Sequence, residues 1–193
     1  MNTLLNKRSY FLFAGVILFF LFAIFCLLSV KKTATIQNQP ITVAISGLPV
    51  HLMIPAVNVD ADIQHVGLTQ DGNMEVPNNT TDVGWFKYGS RPGEKGSAVI
   101  SGHMNGELGE AGVFARLSEL KKGDTGTIID DKGIALTFTV QETRMYDAGY
   151  AEEVFSANDQ ARLNFVTCDG VWDQKKQSYT KRLVIFTHIS RSQ

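Results

Sequence analysis

Cysteine is nearly absent from this chain: 193 residues hold two. Cys26 lies inside an apolar run, where it is most simply a small hydrophobe. Cys168 stands alone in the rest of the chain, so no disulfide framework can staple a domain there. A dominant charge is missing too. Eighteen Lys and Arg against nineteen Asp and Glu give a formal net charge of −1. That excludes a broad basic surface, and with it nucleic acid as an expected partner. There is no Cys-x-x-Cys and no His pair at ligand spacing, so a zinc site is not expected. Internal repeats and low-complexity tracts are absent. Composition is that of a globular protein, 44% hydrophobic. Within it a lone cysteine reads either as a reactive thiol or as a buried structural residue.

The hydrophobic residues are unevenly spread. Tyr10 to Val30, YFLFAGVILFFLFAIFCLLSV, contains no charged residue. About 20 apolar residues in a helix match a hydrocarbon core of roughly 30 Å. A cleavable signal peptide has a shorter apolar region, about 7–15 residues, and a small-residue cleavage site. Here Lys31 and Lys32 follow the run directly. The expectation is an uncleaved signal-anchor helix over residues 10–30, after a cytoplasmic stub at residues 1–9. Charge barely decides orientation, with Lys7 and Arg8 on one side and Lys31 and Lys32 on the other. A short stub is the easier part to leave inside, and a large C-terminal domain translocates whatever its charge. The expected localisation is the cell membrane, single-pass, with the N-terminus inside and the domain extracytoplasmic. Residues 31–49, polar and small with two prolines, read as a tether, and residues 50–193 as the catalytic domain.

From His51 the texture is that of strands. HLMIP is a short apolar run closed by Pro55, and VNVDADIQHVGL alternates apolar with polar residues. Gln70-Asp71-Gly72-Asn73 marks a turn, and Met74 to Pro77 resumes as an extended piece. Ser97 to His103 is a β-branched apolar run. Val113 to Leu120 has helical spacing. Thr125 to Asp130 and Ile134 to Val140 form a hairpin pattern around Asp131-Lys132-Gly133. Ala157 to Arg162 reads as a helical turn. Leu163 to Cys168 and Arg182 to Ile189 are further strands. Many short strands with frequent turn signals predict an all-β barrel or sandwich with minor helices.

Three strand ends carry candidate chemistry: Ser101-Gly102-His103, Val166-Thr167-Cys168-Asp169-Gly170, and Lys181-Arg182. A strand end holds its backbone rigid while the side chain meets a loop-lined cleft. Gly102 and Gly170 permit close backbone approach beside the reactive groups. A thiol attacks a carbonyl as thiolate. An imidazole stabilises that thiolate and later protonates a leaving amine. A guanidinium stabilises the oxyanion of a tetrahedral intermediate. Cys, His and Arg therefore make a complete set for acyl transfer. Spacing alone does not bring them together: His51, His65 and His188 are competing histidines, and a lone Arg is usually a surface residue.

From about Leu52 to Ile189 the chain resembles the sortase family. The pieces that carry the resemblance stand in the family's order: IPAVNVDADIQHVGL, MEVPNN, VGWFKYGSRPGEKGSAVISGHMN, GVFARLSELKKGD, FVTCDG and YTKRLVIFTHI. PGEKGSAVISGH, GVFARL and TCDGVWD are most similar to the class F group, with class E sharing several features. The resemblance implies a closed β-barrel of about eight strands with short helices. It implies Cys168 as nucleophile, His103 as acid/base, Arg182 as oxyanion or substrate stabiliser, and Thr167 as a substrate-binding residue. It further implies a cysteine transpeptidase acting on sorting-signal proteins of Leu-Pro-x-Thr-Gly type. The acceptor would be an amine from peptidoglycan or its lipid-linked precursor. The family's Thr-Leu-x-Thr-Cys pattern reads Asn164-Phe165-Val166-Thr167-Cys168 here, so Phe165 replaces Leu. The tether carries no Asp-Pro-Phe/Trp lid of the kind pilus-building sortases often have.

Two other classes compete. A cysteine hydrolase would use the same trio with water as acceptor. A membrane-tethered binding domain would carry Cys168 incidentally. No cofactor is expected. Some sortases bind calcium through acidic loop residues, and Asp147, Glu152, Glu153 and Asp159 lie in that region, where a solvated acidic loop is the simpler account.

Overall fold

The computed structural model describes residues 47–149, 151–156 and 159–190. The expected stub, the anchor over residues 10–30 and the tether up to residue 46 lie outside the described residues. Among the described residues no helix is long and apolar enough to cross a membrane.

Eight strands close into a barrel. β1 (Pro49–Ile54) stops at Pro55, which has no N–H to continue the ladder and instead opens a one-turn 3₁₀ helix, Pro55–Val57. β2 (Val59–Val66) follows, with Val59, Ala61 and Ile63 buried and Asp60 and Asp62 exposed. That is the alternation a half-buried strand requires. β3 (Val83–Phe86) and β4 (Gly96–Gly102) come next, and every residue of β4 is buried. β5 (Thr125–Asp130) and β6 (Ala135–Asp147) form the expected hairpin. At its turn the Asp130 carboxylate accepts from the backbone N–H groups of Lys132 and Ile134, at 3.0 and 2.7 Å. A short helix, α1 (Glu152–Phe155), precedes β7 (Ala161–Asp173) and β8 (Ser178–Ser190).

Around the barrel the order is β1-β2-β3-β4-β7-β8-β6-β5, and β5 closes on β1. Two neighbouring pairs are parallel, β2–β3 and β4–β7. Parallel neighbours need long crossovers, so β4 and β7 meet although the whole β5–β6 hairpin and α1 lie between them in sequence.

The interior is filled from all sides. Leu52, Ile54, Ile100, Phe114, Ile128, Phe138, Leu163, Phe165 and Ile185 are fully buried there. Each such side chain contributes roughly 1.5–3 kcal/mol relative to exposure. Phe165 takes the position where the family pattern has Leu. Its ring packs tilted on Phe138 at 5.0 Å and edge-on to Phe114 at 6.0 Å between centroids. A second, smaller cluster lies on the opposite face of the same strands, where Val154 of α1 covers Val99, Val184 and Phe186. The residue parity of β7 and β8 therefore sorts the site. Leu163, Phe165, Leu183 and Ile185 face the barrel interior, while Val166, Val184 and Phe186 face α1.

The structure differs from sequence expectation at three places. Val113–Leu120 is not an α-helix: turns lead into a 3₁₀ turn at Leu117–Glu119. The N–H groups of Leu117, Glu119 and Leu120 bond three residues back, to the carbonyls of Phe114, Arg116 and Leu117 at 3.1, 3.0 and 3.2 Å, instead of four. Its apolar spacing is still used, since Phe114, Leu117 and Leu120 are buried. Of the helical turn expected over Ala157–Arg162, residues 157 and 158 lie outside the described residues, and residues 159–162 are not helical. The helix comes earlier, at Glu152–Phe155, and Ala161 and Arg162 already pair with Gly96 and Ser97. The strand at Val83–Phe86 had no sequence expectation: four residues including a glycine carry little periodicity, and its pairing with β2 is non-local.

Candidate active site

β7 carries Thr167 and Cys168, β8 carries Arg182, and β4 leads into His103. In the antiparallel β7–β8 ladder Cys168 and Arg182 are direct partners, so both side chains project from the same face of the sheet. This is the α1 face, because Val166 and Val184 beside them pack there. His103 follows β4, which pairs in parallel with β7. The register runs unbroken from Gly96↔Ala161 to Ser101↔Val166. The Thr167 hydroxyl extends it, donating to the Gly102 carbonyl at 2.9 Å across a separation of 65 residues. β4 ends at Gly102, so His103 is the first residue beyond the strand that runs alongside the one carrying Cys168. His103, Cys168 and Arg182 are all half-buried, hence held by their surroundings yet open to a ligand.

Two glycines make the approach possible. A Cβ on Gly102 would stand 2.6 Å from the Phe114 ring, which packs directly beneath the turn into His103. Gly170 has φ +83°, and a Cβ there would meet Thr180 Oγ1 at 2.6 Å. It sits in the register shift between Asp169 and Trp172 that ends the regular ladder just past the thiol.

The Arg182 guanidinium is not left to wander. Nη1 donates to the carbonyls of Tyr179 and Lys181, at 2.9 and 2.8 Å, and Nη2 to Ser178 Oγ at 3.0 Å. The Tyr179 hydroxyl donates to Asn105 Oδ1 at 2.9 Å, tying the start of β8 to the loop after His103. His103 Nε2 lies 2.9 Å from the Pro77 carbonyl oxygen. A carbonyl only accepts, so Nε2 carries the proton and Nδ1 is the other, variable nitrogen.

The remaining histidines are accounted for elsewhere. His51 lies between Asp60 and Asp62, His65 contacts the Pro49 carbonyl at 2.9 Å, and His188 Nε2 accepts from the Gln141 amide at 3.1 Å. Thr167, expected to touch substrate, is buried with its hydroxyl committed to Gly102. Of the acidic residues in the β6–β7 connection, Asp147 pairs with Lys181 at 2.6 Å, and Glu153 pairs with Arg144 and accepts from the Tyr146 hydroxyl at 2.8 Å. The Tyr146 and Arg144 contacts hold the Glu153 carboxyl below its ordinary range. Among the described residues no group of three or more His, Cys, Asp or Glu is placed to hold a metal ion.

Sequence reasoning missed several members of the site. The Pro77 carbonyl and the Asn105–Tyr179 contact are backbone or long-range features. Asn164 is fully buried in β7, two residues from Val166, and its amide donates to the Val154 carbonyl at 2.8 Å, anchoring α1 over the site face. An Asn two positions before an apolar strand residue gives no such signal by itself.

A family model described as the sortase domain matches residues 52–190. Comparison with curated proteins found no match. Among solved structures, the chain is similar to sortase C-1 from Actinomyces oris, with TM-score 0.60 and 20% identity over 75% of this chain and 76% of that one. A lid mutant of sortase A from Corynebacterium diphtheriae matches with TM-score 0.59 and 17% identity, covering 76% of this chain and 72% of that one. Sortase C1 from Streptococcus agalactiae matches with TM-score 0.58 and 20% identity, covering 75% and 68%. At these identities the structures establish the likeness of fold.

Proposed function

This chain belongs to the sortase family of cysteine transpeptidases, and from that premise we propose that it cleaves a C-terminal Leu-Pro-x-Thr-Gly-like sorting signal and transfers the protein to an amine of the cell wall. The observation that supports this assignment of roles is the β4–β7–β8 register, in which Cys168 and Arg182 are cross-strand partners and β4, leading into His103, runs beside the strand that carries Cys168.

In the proposed reaction the Cys168 thiolate attacks the Thr carbonyl carbon of the signal. A C–S bond forms and the carbonyl electrons move to oxygen, where Arg182 supplies positive charge and N–H donors. The tetrahedral intermediate collapses by breaking the C–N bond. Protonated His103 gives its proton to the leaving Gly amine. An amine from peptidoglycan or its lipid-linked precursor then attacks the thioester, His103 takes the proton back, and the thiolate leaves. The three side chains suffice for this sequence without a cofactor.

The apolar segment Tyr10–Val30 is proposed as the anchor that holds the catalytic domain outside the membrane. Substrates and lipid-linked acceptors are membrane-bound as well, so a tether raises their effective concentration. Assignment to class F rests on the sequence pieces PGEKGSAVISGH, GVFARL and TCDGVWD. The closest competing activity is hydrolysis, in which water resolves the same thioester.

The test is intact-mass spectrometry of the full chain in detergent with Leu-Pro-x-Thr-Gly peptides and a panel of amines. The expected result is a thioester adduct on Cys168 that is missing in Cys168→Ala and is discharged by an amine. An adduct discharged equally fast with no amine present would establish the hydrolase. A Cys168 inert both to peptides and to a small alkylating reagent would remove the nucleophile and leave a binding domain.

A further inference from the structure

His103 is positioned by a part of the fold that lies outside the Cys–His–Arg trio. Its Nε2–H donates to the Pro77 carbonyl, and Pro77 sits in the extended segment between β2 and β3. That segment is fastened at both ends. At one end Glu75 N–H donates to the Gly67 carbonyl at 3.0 Å, and the Glu75 carboxylate accepts from Gly67 N–H at 2.7 Å. At the other end Gln64 of β2 grips Asn78. Its Oε1 accepts from Asn78 N–H at 3.1 Å, and its Nε2 donates to Asn78 Oδ1 at 2.8 Å.

The same Gln64 Nε2 donates to Asp82 Oδ2 at 2.8 Å, and Asp82 in turn accepts from Asn79 Nδ2 at 2.8 Å. The hydrogen bond from Gln64, followed by that from Asn79, holds the Asp82 carboxyl below its ordinary range, so it remains an acceptor at neutral pH. Asn79 Oδ1 closes the loop by accepting from the backbone N–H of Thr81 and Asp82, at 3.0 and 2.8 Å. Pro77 suits the point of contact. Its ring restricts φ, and it has no N–H that could turn toward the imidazole, so it offers an acceptor only.

We propose that Gln64 is a positioning residue for His103: by clamping Asn78 it holds the Pro77 carbonyl on Nε2–H, which keeps neutral His103 in one tautomer with Nδ1 as the nitrogen that exchanges the proton with Cys168 and the leaving amine. The proposal rests on the transpeptidase reading for its catalytic consequence, but the tautomer itself is independent of any substrate. The alternative account, in which Gln64 merely stabilises a surface loop, leaves the imidazole free to populate either tautomer.

The experiment uses the full chain, isotopically labelled and in detergent, with the His103 signals identified by their loss in His103→Gln. Carbon and nitrogen shifts of the imidazole distinguish the two neutral tautomers. Wild type is expected to show the Nε2–H form. Gln64→Ala is expected to show a mixture, with the rate of thioester formation lowered about tenfold to a hundredfold, mostly in kcat rather than KM. Gln64→Glu keeps an acceptor for Asn78 N–H but loses both donated bonds and faces the Asp82 carboxylate, so an effect in the same direction is expected. It carries the test if Gln64→Ala fails to fold. A wild-type mixture of tautomers, or a folded variant whose tautomer and acylation rate match wild type, overturns the proposal. A wild type in the Nε2–H form that never acylates, with Cys168 still alkylated by a reagent, sinks the substrate reading and leaves the orientation of His103 standing.

Discussion

The Thr167 hydroxyl donates to the Gly102 carbonyl at 2.9 Å, joining the residue before Cys168 to the residue before His103. Both residues are buried, and each stands one position before a candidate catalytic side chain. The bond is thus a cross-strand spacer for the site. A residue expected to touch substrate has its only hydroxyl used in holding two strands in register.

Thr167→Val, nearly isosteric, removes this donor from the buried Gly102 carbonyl and is expected to lower stability by about 1 kcal/mol. Thr167→Ser keeps the donor and should lose about 1 kcal/mol or less, mainly the methyl contacts. Urea midpoints at constant slope measure the difference. Equal stability for Val and wild type would mean that the bond contributes nothing to the strand pair.

Gly102→Ala drives a methyl group into the Phe114 ring, which is fully buried and edge-on to Phe165. Overpacking of this kind costs about 1–3 kcal/mol. Because the ring cannot retreat into a filled core, the turn into His103 should move instead, and thioester formation should slow more than stability alone accounts for. Thermal denaturation alongside the acylation rate separates the two effects.

Arg182→Lys keeps the charge and loses the planar fork that reaches the Tyr179 carbonyl and Ser178 Oγ together. The fold should be unaffected, since Arg182 is only half-buried and its guanidinium bonds lie within the start of β8. The acylation rate should fall about a hundredfold, as for loss of an oxyanion donor. Wild-type rates in the lysine variant would show that a point charge alone suffices there.

His51 gives a pH signature away from the site. Its hydrogen bond to Asp62, aided by Asp60 and opposed by burial, raises its pKa above the ordinary 6.5. The proton is therefore bound more tightly in the folded state. The contribution is present in full below the unfolded pKa and is lost as pH rises through the higher folded value. Melting temperatures of wild type and His51→Gln, compared from about pH 5 to about pH 9, should differ most at the acid end and converge toward the alkaline end. A constant gap across the range would remove His51 as the source.

Much of the barrel was legible because its strands are half-buried and alternate, as in Val59–Val66, or run apolar between turn residues, as in Ser97–Gly102. Val113–Leu120 misled for a physical reason. Apolar residues spaced for a helix were spaced for burial, while the N–H groups of Leu117 and Leu120 bond three residues back in tight turns. The candidate nucleophile was legible as a lone cysteine, although β7 runs past it to Asp173, whereas the sequence pattern ended the strand at Cys168. Gln64, Asn78 and Pro77 were not, because their part in holding His103 lies in bonds between segments that no local pattern encodes.

What the amino-acid order determines by itself is local: which stretches bury a face, where Pro55 stops a strand, where Gly170 allows the chain to bend, and which side chains can act as nucleophile, proton carrier and cation. Their meeting is decided by tertiary structure. A parallel pair has no short connection to announce it, so only closure of the barrel, driven by burial of Ile100, Phe138, Phe165 and their neighbours, brings β4, which leads into His103, against β7, which carries Cys168, at an offset of 65 residues.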